Sequence, residues 1–258
     1  MNRILKYDAF KIKKSKYWWI CMLISACLVT LAVVLVANVN SVDPTATSRG
    51  LSSYKRIIFG ANIVLFLIIL SIFIAEDFKN GTIKNIASKG ISRKNIAISK
   101  IIGVLIFATI FVFVNVISGI VSAILIDSKF VLSSSDMTNL LKYTALNLLQ
   151  VYTYSCIFTF VAFLVKSAGS SIAIGFGLQS VIPLIFNLID AFVIKSESMN
   201  ISNILPSFLV QLMSQNTDNL SQITTKSGSL TIYVVAMLIE MIVFGVLSIF
   251  IFTKRDIK

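Results

Sequence analysis

The sequence contains no histidine, three prolines, three cysteines and eleven acidic residues in 258 positions. Without histidine, the commonest metal ligand and the commonest general acid–base side chain are both missing. Cys21, Cys27 and Cys156 all lie inside apolar runs, without CxxC spacing. Neither a metal site nor a disulfide framework is expected of them, and they read as small buried apolar side chains. Charge is scarce too: 13% of residues are Asp, Glu, Lys or Arg, where a soluble domain carries about 25%. That excludes an ordinary soluble enzyme or binding module, and no catalytic residue or metal site is assigned.

What is abundant is apolar length. Hydrophobic residues make up 57% of the chain, 19 of them Phe, and the mean hydropathy is +0.90. Crossing the roughly 30 Å hydrocarbon core takes about 20 mostly apolar residues. Six stretches qualify: Tyr17–Val39, Ile57–Ala75, Ile101–Ile126, Tyr143–Val165, Ser167–Ile189 and Leu230–Phe252. The fourth and fifth are parted by little more than Lys166, which implies a tight hairpin. The expected fold is an all-α polytopic membrane protein with six transmembrane helices, residues 1–258 forming a single transmembrane domain. The first run is longer than a signal-peptide core and no A-x-A site follows it, so it reads as a retained helix.

The formal net charge is +12. Beside apolar spans, such charge answers to anionic lipid headgroups, and no nucleic-acid partner is expected. Arg3, Lys6, Lys11, Lys13, Lys14 and Lys16 precede the first span; Lys79, Lys84, Lys89, Arg93, Lys94 and Lys100 join the second to the third. With Lys166 and the tail residues Lys254, Arg255 and Lys258, that side holds sixteen of the 23 basic residues, so it and both termini are expected in the cytoplasm.

Three segments outside the spans carry pattern. In residues 1–16, Ile4, Leu5, Ala9 and Ile12 share a helical arc edged by lysines, as in an amphipathic helix lying on the membrane surface. Trp18 and Trp19 then fall at interface depth. In the outer segment 195–229, Ile201, Ile204, Leu205, Phe208 and Leu212 form a stripe too short to span, suggesting a short extracellular helix with Pro206 in its first turn.

The third segment, residues 76–100, reads EDFKNGTIKNIASKGISRKNIAISK. It implies a turn at Asn80-Gly81, a short helix over Thr82–Ser88, a break at Gly90 and a helix capped by Ser92. Phe78, Ile83 and Ile86 stand out as apolar groups framed by charge, the usual make-up of a contact with a protein partner. Glu76 is placed to pair with Arg93 or with a basic group on that partner.

Glu76 closing the second span, then Gly81-Thr82-Ile83, then Ile91-Ser92-Arg93, then Lys100 opening the third, resembles the permease subunits of type 2 ABC transporters (type V exporter-like), among them small bacterial permeases that export bacteriocins, other peptides or drugs. The six-span layout extends that resemblance over the whole chain. One departure is Lys89-Gly90, where the family often has proline; glycine preserves the turn. The resemblance implies a bacterial cytoplasmic membrane location and a transport subunit that binds no cofactor itself. ATP and magnesium would be held by two copies of a separate ABC ATPase, beside a second permease chain, identical or homologous. In keeping with that, the sequence has no GxxxxGK[ST] phosphate loop. Glu76, Phe78, Gly81, Thr82, Ile83, Ile86, Ser92 and Arg93 are the expected ATPase-coupling residues.

Within the spans, Glu240 sits near mid-helix, where a carboxylate costs about 2.5–3.5 kcal/mol on insertion scales; it reads as a polar group facing a transport path or a subunit interface, or as a protonated or hydrogen-bonded structural glutamate. Asn147, Gln150 and Tyr154 give the fourth span an unusually polar face and are candidates for the same path, or for plain interhelical hydrogen bonds. Gly169, Ala173 and Gly177 recur every four residues, as a close helix-packing face does. A non-transporting sensor or assembly protein is the alternative reading. So is an ion-coupled secondary transporter, which would need internal repeats or broken helices not evident here.

Overall fold

Where no water is present to satisfy the backbone, an apolar run must bond to itself, and the helix is the way a single segment does so. The computed structural model describes residues 2–41, 51, 54–60, 63–127, 130, 133–190, 192, 205–206 and 230–254. It is all-α, with no strand among the described residues, and six of its helices are long and apolar enough to cross a membrane.

A short helix α1 (Asn2–Lys14) leads into α2 (Lys16–Ser41). The second apolar run is described over α3 (Lys55–Gly60) and α4 (Ile63–Lys79), which together make the Lys55–Lys79 span. After α5 (Thr82–Ser88), α6 (Arg93–Ile126) begins inside the polar segment and continues into the third span as one helix. Helix α7 (Ser134–Val165) starts nine residues before the expected Tyr143, because Ser133 and Asp136 form a reciprocal capping box that supports extra polar turns. The turn into α8 (Ala168–Ile189) is as tight as its sequence implies, closed by Lys166 in a left-handed conformation. Helix α9 (Leu230–Lys254) is the last described element. The expected outer helix within 195–229 falls, apart from Leu205 and Pro206, outside the described residues.

Helix α7 is the axis of the bundle and packs against α4, α6, α8 and α9, while α2 lies along α6. In the most apolar window of α7, 61% of residues are buried, against 6% in α8 and 11% in α9. Those two outer helices turn most of their surface away from this chain. The two tryptophans separate. Trp19 is 61% exposed and its indole N–H donates to the Lys13 carbonyl at 3.1 Å, as an interfacial residue would. Trp18 is instead buried edge-on against Phe73 and Phe107, a core anchor rather than a belt residue. Cys21 and Cys156 are buried as expected; Cys27 is exposed.

Candidate functional site

The 76–100 segment folds as its glycines and caps dictate. Gly81 (φ +63°) and Gly90 (φ +77°) take left-handed turns that an L side chain resists, and they bracket α5. The Ser92 hydroxyl accepts the Asn95 N–H at 3.4 Å and starts α6. The apolar groups face the opposite way from the expectation. Ile83 is only 1% exposed, and Phe78 and Ile86 are half-buried against the core. Phe78 lies 6.1 Å from the Phe163 ring and 6.2 Å from the Phe252 ring, at the ends of α7 and α9. Ile83 and Ile86 share one face of a two-turn helix, and the bundle end is the nearest place to bury it. Among its described side chains, those left exposed are polar: Lys79, Asn80, Asn85, Ser88, Lys89, Ser92, Arg93, Lys94 and Asn95, with Gly90 between them.

Behind the segment lies a buried charge cluster. Lys100, 1% exposed, places Nζ 2.6 Å from Asp77 Oδ2 and hydrogen-bonds Asp8 Oδ1. Lys11 donates to Asp77 Oδ1 at 2.9 Å and to the Phe73 carbonyl at 3.1 Å, and its Nζ is 3.5 Å from Glu76 Oε2. Glu76 thus meets Lys11 of α1, a neighbour that its sequence context did not suggest. Burial pushes the Asp8 carboxyl above the usual carboxylate range, with Lys100 as the largest opposing influence. One signal for Asp8 was available. It is the only acidic residue before the first span, and it sits four residues from both Ile4 and Ile12, on the face that packs inward.

The polar residues of the fourth span are spent largely on helix contacts. Asn147 donates to the Phe59 carbonyl, and Gln150 Nε2 donates to the Pro206 carbonyl at 2.7 Å. Thr153 reaches the Met237 carbonyl at 3.3 Å. Tyr154 and Glu240, by contrast, border one cavity of about 160 Å³ between α7, α8, α9 and Leu205–Pro206. Gln179, which sequence reasoning passed over, borders it as well.

Among the described residues, the small-residue stripe does not serve packing within the chain. Gly169 and Ala173 are exposed, and a Cβ on Gly169 or Gly177 would meet nothing within 4 Å. The face of α8 that packs is Ser171 and Gly175, because the Phe158 ring of α7 presses on it; a Cβ on Gly175 would lie 2.2 Å from that ring.

A family model described as ABC-2 family transporter protein matches residues 4–187, more than two thirds of the chain. The match takes in the charge cluster and the 76–100 segment and stops before α9. No curated protein matches the chain. By the extent of that match and by its six apolar helices, the chain belongs to the ABC-2 family of transporter proteins, as a membrane permease.

Proposed function

We propose that this chain is the membrane-spanning subunit of a bacterial ABC exporter. It moves an amphipathic substrate, such as a bacteriocin-like peptide or a hydrophobic drug, across the cytoplasmic membrane. A separate ATPase, in two copies, supplies the energy, and a second permease chain completes the path. The preference for a peptide or drug rests on resemblance to small bacterial export permeases.

The observation that carries the coupling part of this reading is how α5 is rooted. Its Ile83 is buried in the core and it packs against α4, whose last turn sets Phe78 against Phe163 of α7 and Phe252 of α9, while α4 and α6, the elements on either side of it, are joined to α1 by Asp77, Lys100 and Asp8. A push on the exposed rim at Asn85, Ser88, Lys89 and Lys94 is therefore passed through α4 and α6 to the helices they touch as well as to the loop. The ATPase contact belongs on that rim, with Gly81, Thr82, Ser92 and Arg93 shaping it; Phe78, Ile83 and Ile86 transmit the displacement inward.

The test is to copurify the chain with its ABC ATPase, identified by ATP hydrolysis, from cells expressing wild type or the Lys89→Glu/Lys94→Glu double variant. Reversing exposed charge on a contact surface should remove the ATPase while leaving the permease folded. A double variant that retains the ATPase at wild-type yield, with undiminished transport, would sink the coupling assignment.

A further inference from the structure

The cavity beside Glu240 is an acceptor-rich hole in an apolar wall. Phe158, Ile182, Pro183 and Phe244 supply apolar lining. Into it come Glu240 Oε2 and Gln179 Oε1, both buried and without a hydrogen-bond partner among the described residues. Pro183, which has no N–H, stands four residues after Gln179 in α8 and lines the same space. A buried polar group without a partner costs more than the net worth of an ordinary hydrogen bond, so such groups are kept where something else satisfies them.

The hole is held open by the chain. Gly175 lets the Phe158 ring lie against α8 where any Cβ would collide with it. Gln150 fixes the Leu205–Pro206 wall through its 2.7 Å bond to the Pro206 carbonyl. At about 160 Å³ the space matches the size of an engineered cavity, about 150 Å³, that takes benzene.

We propose that this cavity binds a primary ammonium carried on a compact apolar body, the ammonium bonding Glu240 and Gln179 and the apolar part resting on the Phe158 side. The reasoning is complementarity. The two unpartnered side-chain atoms, Glu240 Oε2 and Gln179 Oε1, are both acceptors, a primary ammonium offers three donors, and Glu240 is the one acidic residue within the six apolar runs. A cation neutralises the carboxylate where a neutral donor would leave it charged and desolvated. The proposal deepens the exporter reading and rests on it: the site would receive an amine-bearing apolar group of the transported amphiphile.

Binding can be read without the ATPase. The full chain in phosphatidylcholine nanodiscs is titrated with 4-fluorobenzylamine and, separately, with uncharged 4-fluorotoluene, each followed by fluorine NMR. Saturable amine binding is expected, weakened at least tenfold by Glu240→Gln and several-fold by Gln179→Leu, with neither variant altering the response to fluorotoluene. Should Glu240→Gln fail to fold, Gln179→Leu carries the comparison. Amine binding that never saturates, or that is the same in wild type and the folded variants, overturns the site. Binding that behaves as expected in a chain that drives no ATP-dependent export of amines overturns the exporter reading and leaves the site standing.

Discussion

Lys100 Nζ lies 2.6 Å from Asp77 Oδ2 at the base of the third helical span, and both side chains are almost fully shielded. With Asp8 on the other side of Lys100, the contact joins α1, α4 and α6 at one point. Buried ion pairs gain little net stability over apolar packing, whereas removing one partner strands the other at a cost of about 3–5 kcal/mol. The cluster therefore serves register more than stability: it sets where the leader helix sits relative to the two helices that flank the 76–100 segment.

The first prediction follows from that asymmetry. Lys100→Met leaves Asp8 and Asp77 facing each other with Lys11 alone to offset them, and should be the most damaging single change in the cluster. Asp8→Asn leaves Lys100 its contact with Asp77 and should cost less. The Asp8→Asn/Lys100→Met double variant should recover part of the Lys100→Met loss. Thermal unfolding midpoints in detergent, followed by size-exclusion profile, check all three. A double variant as unstable as the sum of the singles would show that the two residues do not share an interaction.

The second prediction separates the two glycine faces of α8. Gly175→Ala drives a methyl into the buried Phe158 ring and should destabilise by about 1–3 kcal/mol. Gly169→Ala and Gly177→Ala meet open space within the chain and should leave its unfolding midpoint unchanged. Phe158→Leu in the Gly175→Ala background should restore part of the loss by giving the methyl room. Equal sensitivity at all three glycines would contradict the packing described.

Much of this was legible in the sequence. The six helices, the α7–α8 hairpin, α5 and the Ser92 cap follow from hydropathy and from glycine and capping chemistry, all of which act over a few residues. Direction of facing was harder. Ile83 and Trp18 read as surface residues because their sequence neighbours are charged or interfacial, yet long-range packing against Phe73, Phe107 and the bundle end decides both. Asp8 and Lys100 are 92 residues apart, so no local pattern announces their contact. Gln179 drew no notice because a glutamine in a span is ordinary; its meaning comes from Pro183 four residues on and from Glu240 across the cavity.

The third prediction is topological. The leader, the 76–100 segment, the Lys166 turn and the end of α9 converge on one end of the bundle, where Lys11 meets Asp77 and Phe78 meets Phe252. Sixteen of the 23 basic residues belong to that side in the sequence, so that end is expected to face the cytoplasm. In a variant whose three native cysteines are replaced, Lys89→Cys should resist a membrane-impermeant thiol reagent in intact cells and react once the cells are opened. Labelling from outside would invert the orientation.

The fourth prediction distinguishes a transmitting residue from a contacting one. If Ile83 touched the ATPase, Ile83→Asp would abolish association and leave the isolated permease as stable as before. The side chain is instead 1% exposed beneath α5, so the new carboxylate would be placed in an apolar core. Burying such a charge is costly enough that α5 should detach from the bundle, or the whole chain should lose stability. The expected result is a lowered unfolding midpoint, and faster proteolysis at the lysines around α5, measured with no ATPase present. Lys89→Glu, on the exposed rim, should show neither effect. Ile83→Val provides the control, since losing one methylene without adding charge should cost only about 0.5–1.5 kcal/mol. If Ile83→Asp unfolds like wild type in isolation and fails only in the presence of the ATPase, Ile83 belongs to the contact surface and the inward-facing role assigned to it here is wrong.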